Sequence, residues 1–163
     1  MFCYLGLGSN LGDRLHALRC ATEALSAHLV VDAQSAVYET TPEGNADQPL
    51  YLNAALRIVT HLAPLPLLDL CLAIETGQGR MRNPMVIKGP RILDIDVLLY
   101  GDACLSEDRL FLPHPSLLCR PFVRIPLADV ALSGLCHPET GEALDKAAPD
   151  EGVRKVPGAS LVI

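Results

Sequence analysis

Two carboxylates, Asp94 and Asp96, stand two positions apart in residues 92–100, where Leu93, Ile95, Val97 and Leu99 alternate with them. A period of two predicts a strand, and successive strand side chains leave opposite faces, so both carboxylates share one face. Two such groups side by side repel each other, and both lose water, unless a positive charge lies between them. A divalent cation supplies that charge. Hard oxygen ligands suit Mg²⁺, which binds through one or two carboxylates, waters and substrate phosphates. On spacing alone a half-solvated strand would account for the pair, but the preceding stretch shifts the balance. Residues 77–91 contain Gly77, Gly79, Gly89, Pro84 and Pro90, which deny them regular structure, and carry Arg80, Arg82, Lys88 and Arg91 without a single acid. A structureless loop of about 12–15 residues in a compact domain is uncommon, and is usually a functional lid or a disordered segment. A basic lid leading into a two-carboxylate strand is suited to a polyphosphate, whose charge the metal and the guanidinium groups would share.

A second chemical feature lies upstream. Over residues 50–61, Leu50, Leu52, Ala54, Leu56 and Ile58 alternate as a buried face, and Tyr51, Asn53, Ala55 and Arg57 occupy the other. Tyr51 and Asn53 therefore project together, beside the turn-rich residues 41–49. A ring next to a side-chain amide can stack on a flat heterocycle and hydrogen-bond its edge.

These residues need a scaffold. An apolar run over residues 2–7 enters the glycine-rich turn Gly6–Asp13, which has neither the Lys-Ser/Thr of a P-loop nor the glycine spacing of a dinucleotide fold. Leu11, Leu15, Leu18, Thr22 and Leu25 recur at helical spacing, predicting a helix over residues 13–28 capped by Asn10 or Asp13. A strand is expected over 30–41. A second helix over 66–76 is marked by its leading proline and by Gly77 and Gly79 after it. A short helix over 121–130 is limited by Pro126; another is expected around 142–148, then an edge strand or loose end over 156–163. The chain of 163 residues is long enough for one domain with a real core, here aliphatic, since aromatics are 4% and Trp is absent. The six cysteines form no C-x-x-C pair and fit reduced thiols. A net charge of −6 argues against a nucleic-acid partner. No apolar run is long enough to span a membrane and no export signal is visible, so a cytoplasmic location is expected.

In order and spacing, several segments resemble the 6-hydroxymethyl-7,8-dihydropterin pyrophosphokinases, which move a diphosphate from ATP to a pterin alcohol. They are Gly6-Leu7-Gly8-Ser9-Asn10-Leu11-Gly12, Tyr38-Glu39-Thr40-Thr41-Pro42, Asp47-Gln48-Pro49-Leu50-Tyr51-Leu52-Asn53-Ala54, Gly79-Arg80-Met81-Arg82, Gly89-Pro90-Arg91-Ile92-Leu93-Asp94-Ile95-Asp96, Leu112-Pro113-His114-Pro115 and Arg120-Pro121-Phe122. The resemblance covers about residues 3–130. It implies a ferredoxin-like α+β sandwich, an antiparallel sheet backed by helices, formed by a single domain over residues 1–163 that acts as a monomer on ATP and a pterin. Asp94 and Asp96 would hold two Mg²⁺ ions and, with Arg80 and Arg91, form the catalytic set. Gly8, Asn10, Thr40, Pro42, Glu43, Tyr51, Asn53 and Phe122 would bind the pterin, with Tyr51 and Phe122 sandwiching its ring. Glu75, Arg82, Lys88, Val97, Arg109, His114 and Arg120 would line the nucleotide site. No side chain stands out as a general base; Asp96 or a metal-bound water would take the hydroxyl proton, with His114 a weaker candidate. Lys88 stands near where many members carry a lid Trp, and the lid is about one residue longer than usual.

Two other readings compete. A nucleotidyl transferase on a ferredoxin-like palm would account for Asp94, Asp96 and the basic lid, but not for Tyr51, Asn53 and Phe122. A non-catalytic RNA-binding module needs adjacent aromatic residues and a basic face, and the chain has neither.

Overall fold

The computed structural model describes residues 1–41, 50–78 and 92–162. The expected calls on Pro42, Glu43, Arg80, Arg82, Lys88 and Arg91 lie outside these residues. The element order is β1 (Phe2–Ser9), α1 (Arg14–Ser26), β2 (Val30–Gln34), β3 (Tyr38–Thr40), β4 (Tyr51–Val59), α2 (Pro64–Gly77), β5 (Asp94–Tyr100), β6 (Leu105–Ser106), β7 (Phe111–Leu112), α3 (Pro121–Val130) and β8 (Val153–Lys155). The main sheet runs β5-β1-β4-β3-β8, with β2 also on β4, and every pair is antiparallel. This is the expected ferredoxin-like arrangement, with an additional helix and a C-terminal edge strand.

Alternation along the central strands creates two cores. Cys3, Leu5 and Leu7 of β1, Leu52, Leu56 and Ile58 of β4, and Ile95 and Val97 of β5 form one with Leu18, Ala21 and Leu25 of α1 and Leu67 and Cys71 of α2. On the opposite face Tyr4, Ala55, Leu98 and Leu99 pack with Leu127 and Val130 of α3. Helices thus cover one face completely, and α3 covers only part of the other. The remainder of that second face is where Asp94 and Asp96 project.

The helix starts follow local chemistry. Asp13 caps α1 by accepting from the His16 amide at 3.1 Å, which decides between the two expected caps. Proline occupies the first turn of α2 and of α3, where its missing N–H costs nothing. The far end of α3 is tied to the sheet: Asp129 accepts from the Tyr38 hydroxyl at 2.7 Å and the Ala36 amide at 3.2 Å, and Arg57 donates to the Val130 carbonyl at 2.6 Å.

Three expectations are corrected. The strand expected over 30–41 is two strands, because five residues from Gln34 to Tyr38 oppose four from Leu56 to Asn53. The Ser35 hydroxyl accepts the Ala55 amide at 2.8 Å, standing in for a carbonyl at the break. Leu99 does not share the face of Leu93, Ile95 and Val97. A register shift between Tyr4 and Leu5 pairs Tyr4 with Leu99 but Leu5 with Val97, turning Leu99 to the α3 side. Residues 142–148 form no helix. The Ala143 and Lys146 carbonyls accept from Arg124, Ala143 bridges Cys136, and the Asp145 carboxylate caps the Gly134 amide at 2.8 Å. The terminal strand is β8, on β3, earlier than expected, and Leu161 beyond it is buried in the helix-side core.

Candidate active site

The uncovered part of the sheet is organised in two transverse rows. Asn53 pairs with Gly8, which pairs with Asp94; Ala55 pairs with Gly6, which pairs with Asp96. Side chains at these positions face the same way, so two glycines separate an amide wall on β4 from a carboxylate wall on β5. They form the floor of a cavity of about 220 Å³, closed by Tyr51, Thr40, Leu98, His114, Arg120, Phe122 and Val123. A side chain would crowd its neighbours at Gly8 and meet ordinary contact at Gly6. A Cβ on Gly8 would lie 3.1 Å from Asn53 Oδ1 and 3.6 Å from the Tyr51 ring, and one on Gly6 would lie 3.5 Å from Leu98.

Each wall is held by a different part of the chain. Asn53 is buried and its Nδ2 donates to Thr40 Oγ1 at 2.6 Å. That contact fixes the amide's rotamer from the neighbouring strand. Phe122 is in the first turn of α3 and brings Arg120 with it, the guanidinium lying 5.8 Å from the ring centroid. Asp94 and Asp96 are half-buried on β5. Two acidic oxygens on one face and a cavity open beside them suit a hard cation that completes its shell from a ligand. No cluster of three or more His, Cys, Asp or Glu able to hold a metal exists among the described residues.

His114 sits between the walls. Its amide donates to the Leu98 carbonyl at 2.9 Å, and its Nδ1 accepts from the Ser116 amide at 3.1 Å. An accepting Nδ1 leaves the ring proton on Nε2, as a donor. Burial lowers the imidazole pKa from its ordinary 6.5, Arg120 lowers it further, and Asp94 opposes both. The folded state therefore favours the neutral ring. Stability from this group is fully present above about pH 6.5 and declines as acid drives protonation. Urea unfolding at pH 7.5 and 5.5 should show a loss in the wild type that is smaller in His114→Asn, whose Oδ1 can still accept the Ser116 amide. Equal losses would contradict this.

Of the other expected site residues, Asn10 is buried just beyond β1 and does not line the cavity. Val97 faces the helix-side core. Arg109 is exposed, pairs with Asp69 of α2 and does not line the cavity. Glu75 is buried on α2, with Oε2 accepting from the Ile95 amide at 2.7 Å. The sequence reading missed Gly6, Leu98 and Val123. Gly6 was detectable, since it lies two residues before Gly8 and shares its face. Leu98 was obscured by the bulge, and Val123 by lying on a helix whose orientation no local pattern specifies.

A family model described as 7,8-dihydro-6-hydroxymethylpterin-pyrophosphokinase matches residues 4–132. The 2-amino-4-hydroxy-6-hydroxymethyldihydropteridine pyrophosphokinase of Methylorubrum extorquens is 47% identical over 156 residues, covering 94% of this chain and 97% of that protein. The Pseudomonas aeruginosa protein of the same name is 42% identical over 163 residues, covering 96% of this chain and 97% of its own length. A crystal structure of Plasmodium falciparum HPPK-DHPS has a TM-score of 0.63 at 16% identity, covering 88% of this chain and 42% of that one, and speaks to the fold alone.

Proposed function

Because the chain belongs to the 7,8-dihydro-6-hydroxymethylpterin-pyrophosphokinase family and is an ATP-dependent pyrophosphokinase of folate biosynthesis, we propose that the cavity over Gly6 and Gly8 is its catalytic centre. There it transfers the terminal diphosphate of ATP to the hydroxymethyl group of 6-hydroxymethyl-7,8-dihydropterin, releasing AMP. The observation that carries this reading is the Asn53–Gly8–Asp94 row, which aims an amide and a carboxylate into one cleft across a bare floor.

The pterin lies with its ring against Tyr51 and Phe122 and its amide-like edge on Asn53. Its hydroxymethyl arm then points across the glycines toward Asp94 and Asp96. These two carboxylates would hold Mg²⁺ arriving with ATP, two ions in the fullest form. A metal held there would neutralise triphosphate charge and stabilise the entering and leaving oxygens. The pterin oxygen forms a bond to the β-phosphorus as the bond from that phosphorus to the α–β bridging oxygen breaks, and AMP leaves with the bridging oxygen. Asp96 is the acceptor for the hydroxyl proton, His114 donates from Nε2 to a phosphate oxygen, and Arg120 adds its charge. Arg80, Arg82, Lys88 and Arg91 complete the phosphate shell, and exclusion of water keeps ATP from hydrolysis. A single domain acting as a monomer suffices for this chemistry.

The test is nucleotide separation after incubation with ATP, Mg²⁺ and the pterin alcohol. AMP that forms only with pterin and metal both present is the expected result; ADP would mean attack at the γ-phosphorus and would overturn it. Gly8→Ala supplies a check on the geometry. The added methyl presses on Asn53 and intrudes on the ring's place, and overpacking of this kind costs about 1–3 kcal/mol. The pterin KM should rise roughly tenfold with the ATP KM unchanged; an unchanged pterin KM would put the ring elsewhere.

A further inference from the structure

Glu75 does something the site so far leaves unexplained. It occupies the third position of the buried stripe Leu67, Cys71 and Glu75 on α2, where packing alone would favour an aliphatic residue, and it is 2% exposed. A carboxylate placed there is costly unless it is well bonded. Its Oε2 accepts the amide of Ile95 at 2.7 Å. That amide belongs to the Asp94–Ile95 peptide, on the strand at the end of the sheet order. Asp94 and Asp96 lie immediately on either side of Ile95. A helix on one face of the sheet thus grips, from behind, the peptide that presents both carboxylates on the other face.

We propose that Glu75 is a positioning residue of the metal centre: by fixing the Asp94–Ile95 peptide, it sets the spacing at which Asp94 and Asp96 meet a divalent cation. The proposal rests on the reading that these two aspartates hold the metal. A peptide free to rotate would let the two carboxylates drift apart, and partners that orient metal ligands are commonly worth 10- to 100-fold in metal affinity. Glutamine at this position keeps an acceptor oxygen and loses the charge, whereas alanine loses both.

The experiment uses the full chain, with Mn²⁺ as the probe ion, followed by electron paramagnetic resonance in the presence of α,β-methylene-ATP. Backbone hydrogen exchange at Ile95 is measured on the same proteins without metal. Glu75→Ala should weaken Mn²⁺ binding about tenfold and speed exchange at Ile95, leaving pterin affinity unchanged, and Glu75→Gln should stay within about threefold of wild type on both readouts. Unaltered Mn²⁺ binding in Glu75→Ala would overturn the proposal. So would a Gln variant as weak as the Ala variant, which would assign the effect to charge. A matching loss of affinity for the ATP analogue in EDTA would make Glu75 a direct nucleotide ligand instead. Asp94→Asn is the control for the underlying reading: Mn²⁺ binding like wild type there would remove the metal assignment itself, independently of what Glu75 does.

Discussion

Asp96→Asn is expected to reduce AMP formation by about 10³-fold or more, with the fold intact, because the variant removes a negative oxygen from the transition state's cation site. Each carboxylate stands half-buried on the same face of β5, with its neighbour two residues away. Asparagine keeps the volume and shape of the aspartate, so thermal unfolding should show the variant folded like the wild type. Loss of activity with the fold intact is the signature of a functional rather than a structural acid. Asp94→Asn should behave alike in the assay but differ in one respect. Asp94 is the carboxylate that supports protonation of His114, so its removal should lower the His114 titration midpoint seen by NMR. Full activity in either variant would exclude the metal role.

Much of this cleft is legible in the sequence, and the reason is periodicity. Tyr51 and Asn53 were placed on one face of a strand by the Leu52, Ala54, Leu56 and Ile58 that alternate with them, and β4 bears that alternation out. Asp94 and Asp96 were placed together by the same rule. What no strand pattern contains is the neighbour across the ladder. That Gly8 lies between Asn53 and Asp94 is a fact of pairing among residues more than forty positions apart. The resemblance implies the fold class, an antiparallel sheet backed by helices, and the strand order comes from the structure.

The errors arise where a local rule meets a tertiary exception. Leu99 fits the alternation perfectly, yet one extra residue in the ladder at Tyr4 and Leu5 turns it over. Residues 142–148 have acceptable helix formers, but Arg124 takes two of their carbonyls and Asp145 is spent on the Gly134 amide. Glu75 is the instructive case. The resemblance implies a place near the nucleotide, and the structure adds a hydrogen bond from the Ile95 backbone amide, which sequence does not display.

Asn53→Ala should raise the pterin KM by roughly 10- to 100-fold while leaving the ATP KM near wild type, because the ring's polar edge would be buried against a methyl group. The amide is held at one end by Thr40 Oγ1, 2.6 Å from Nδ2, so orientation and contact can be separated. Thr40→Val keeps the volume and the amide but removes the acceptor that fixes the rotamer. If pre-organisation of Asn53 matters, this variant should raise the pterin KM by about tenfold, part of the way toward Asn53→Ala. The double variant should then cost no more than Asn53→Ala alone, since Thr40 acts on the pterin through the amide it orients. Additive losses would mean that Thr40 contacts the pterin itself. A pterin KM unchanged in Asn53→Ala would move the heterocycle off β4 altogether, and with it the case for a cleft that runs from Asn53 across Gly8 to Asp94.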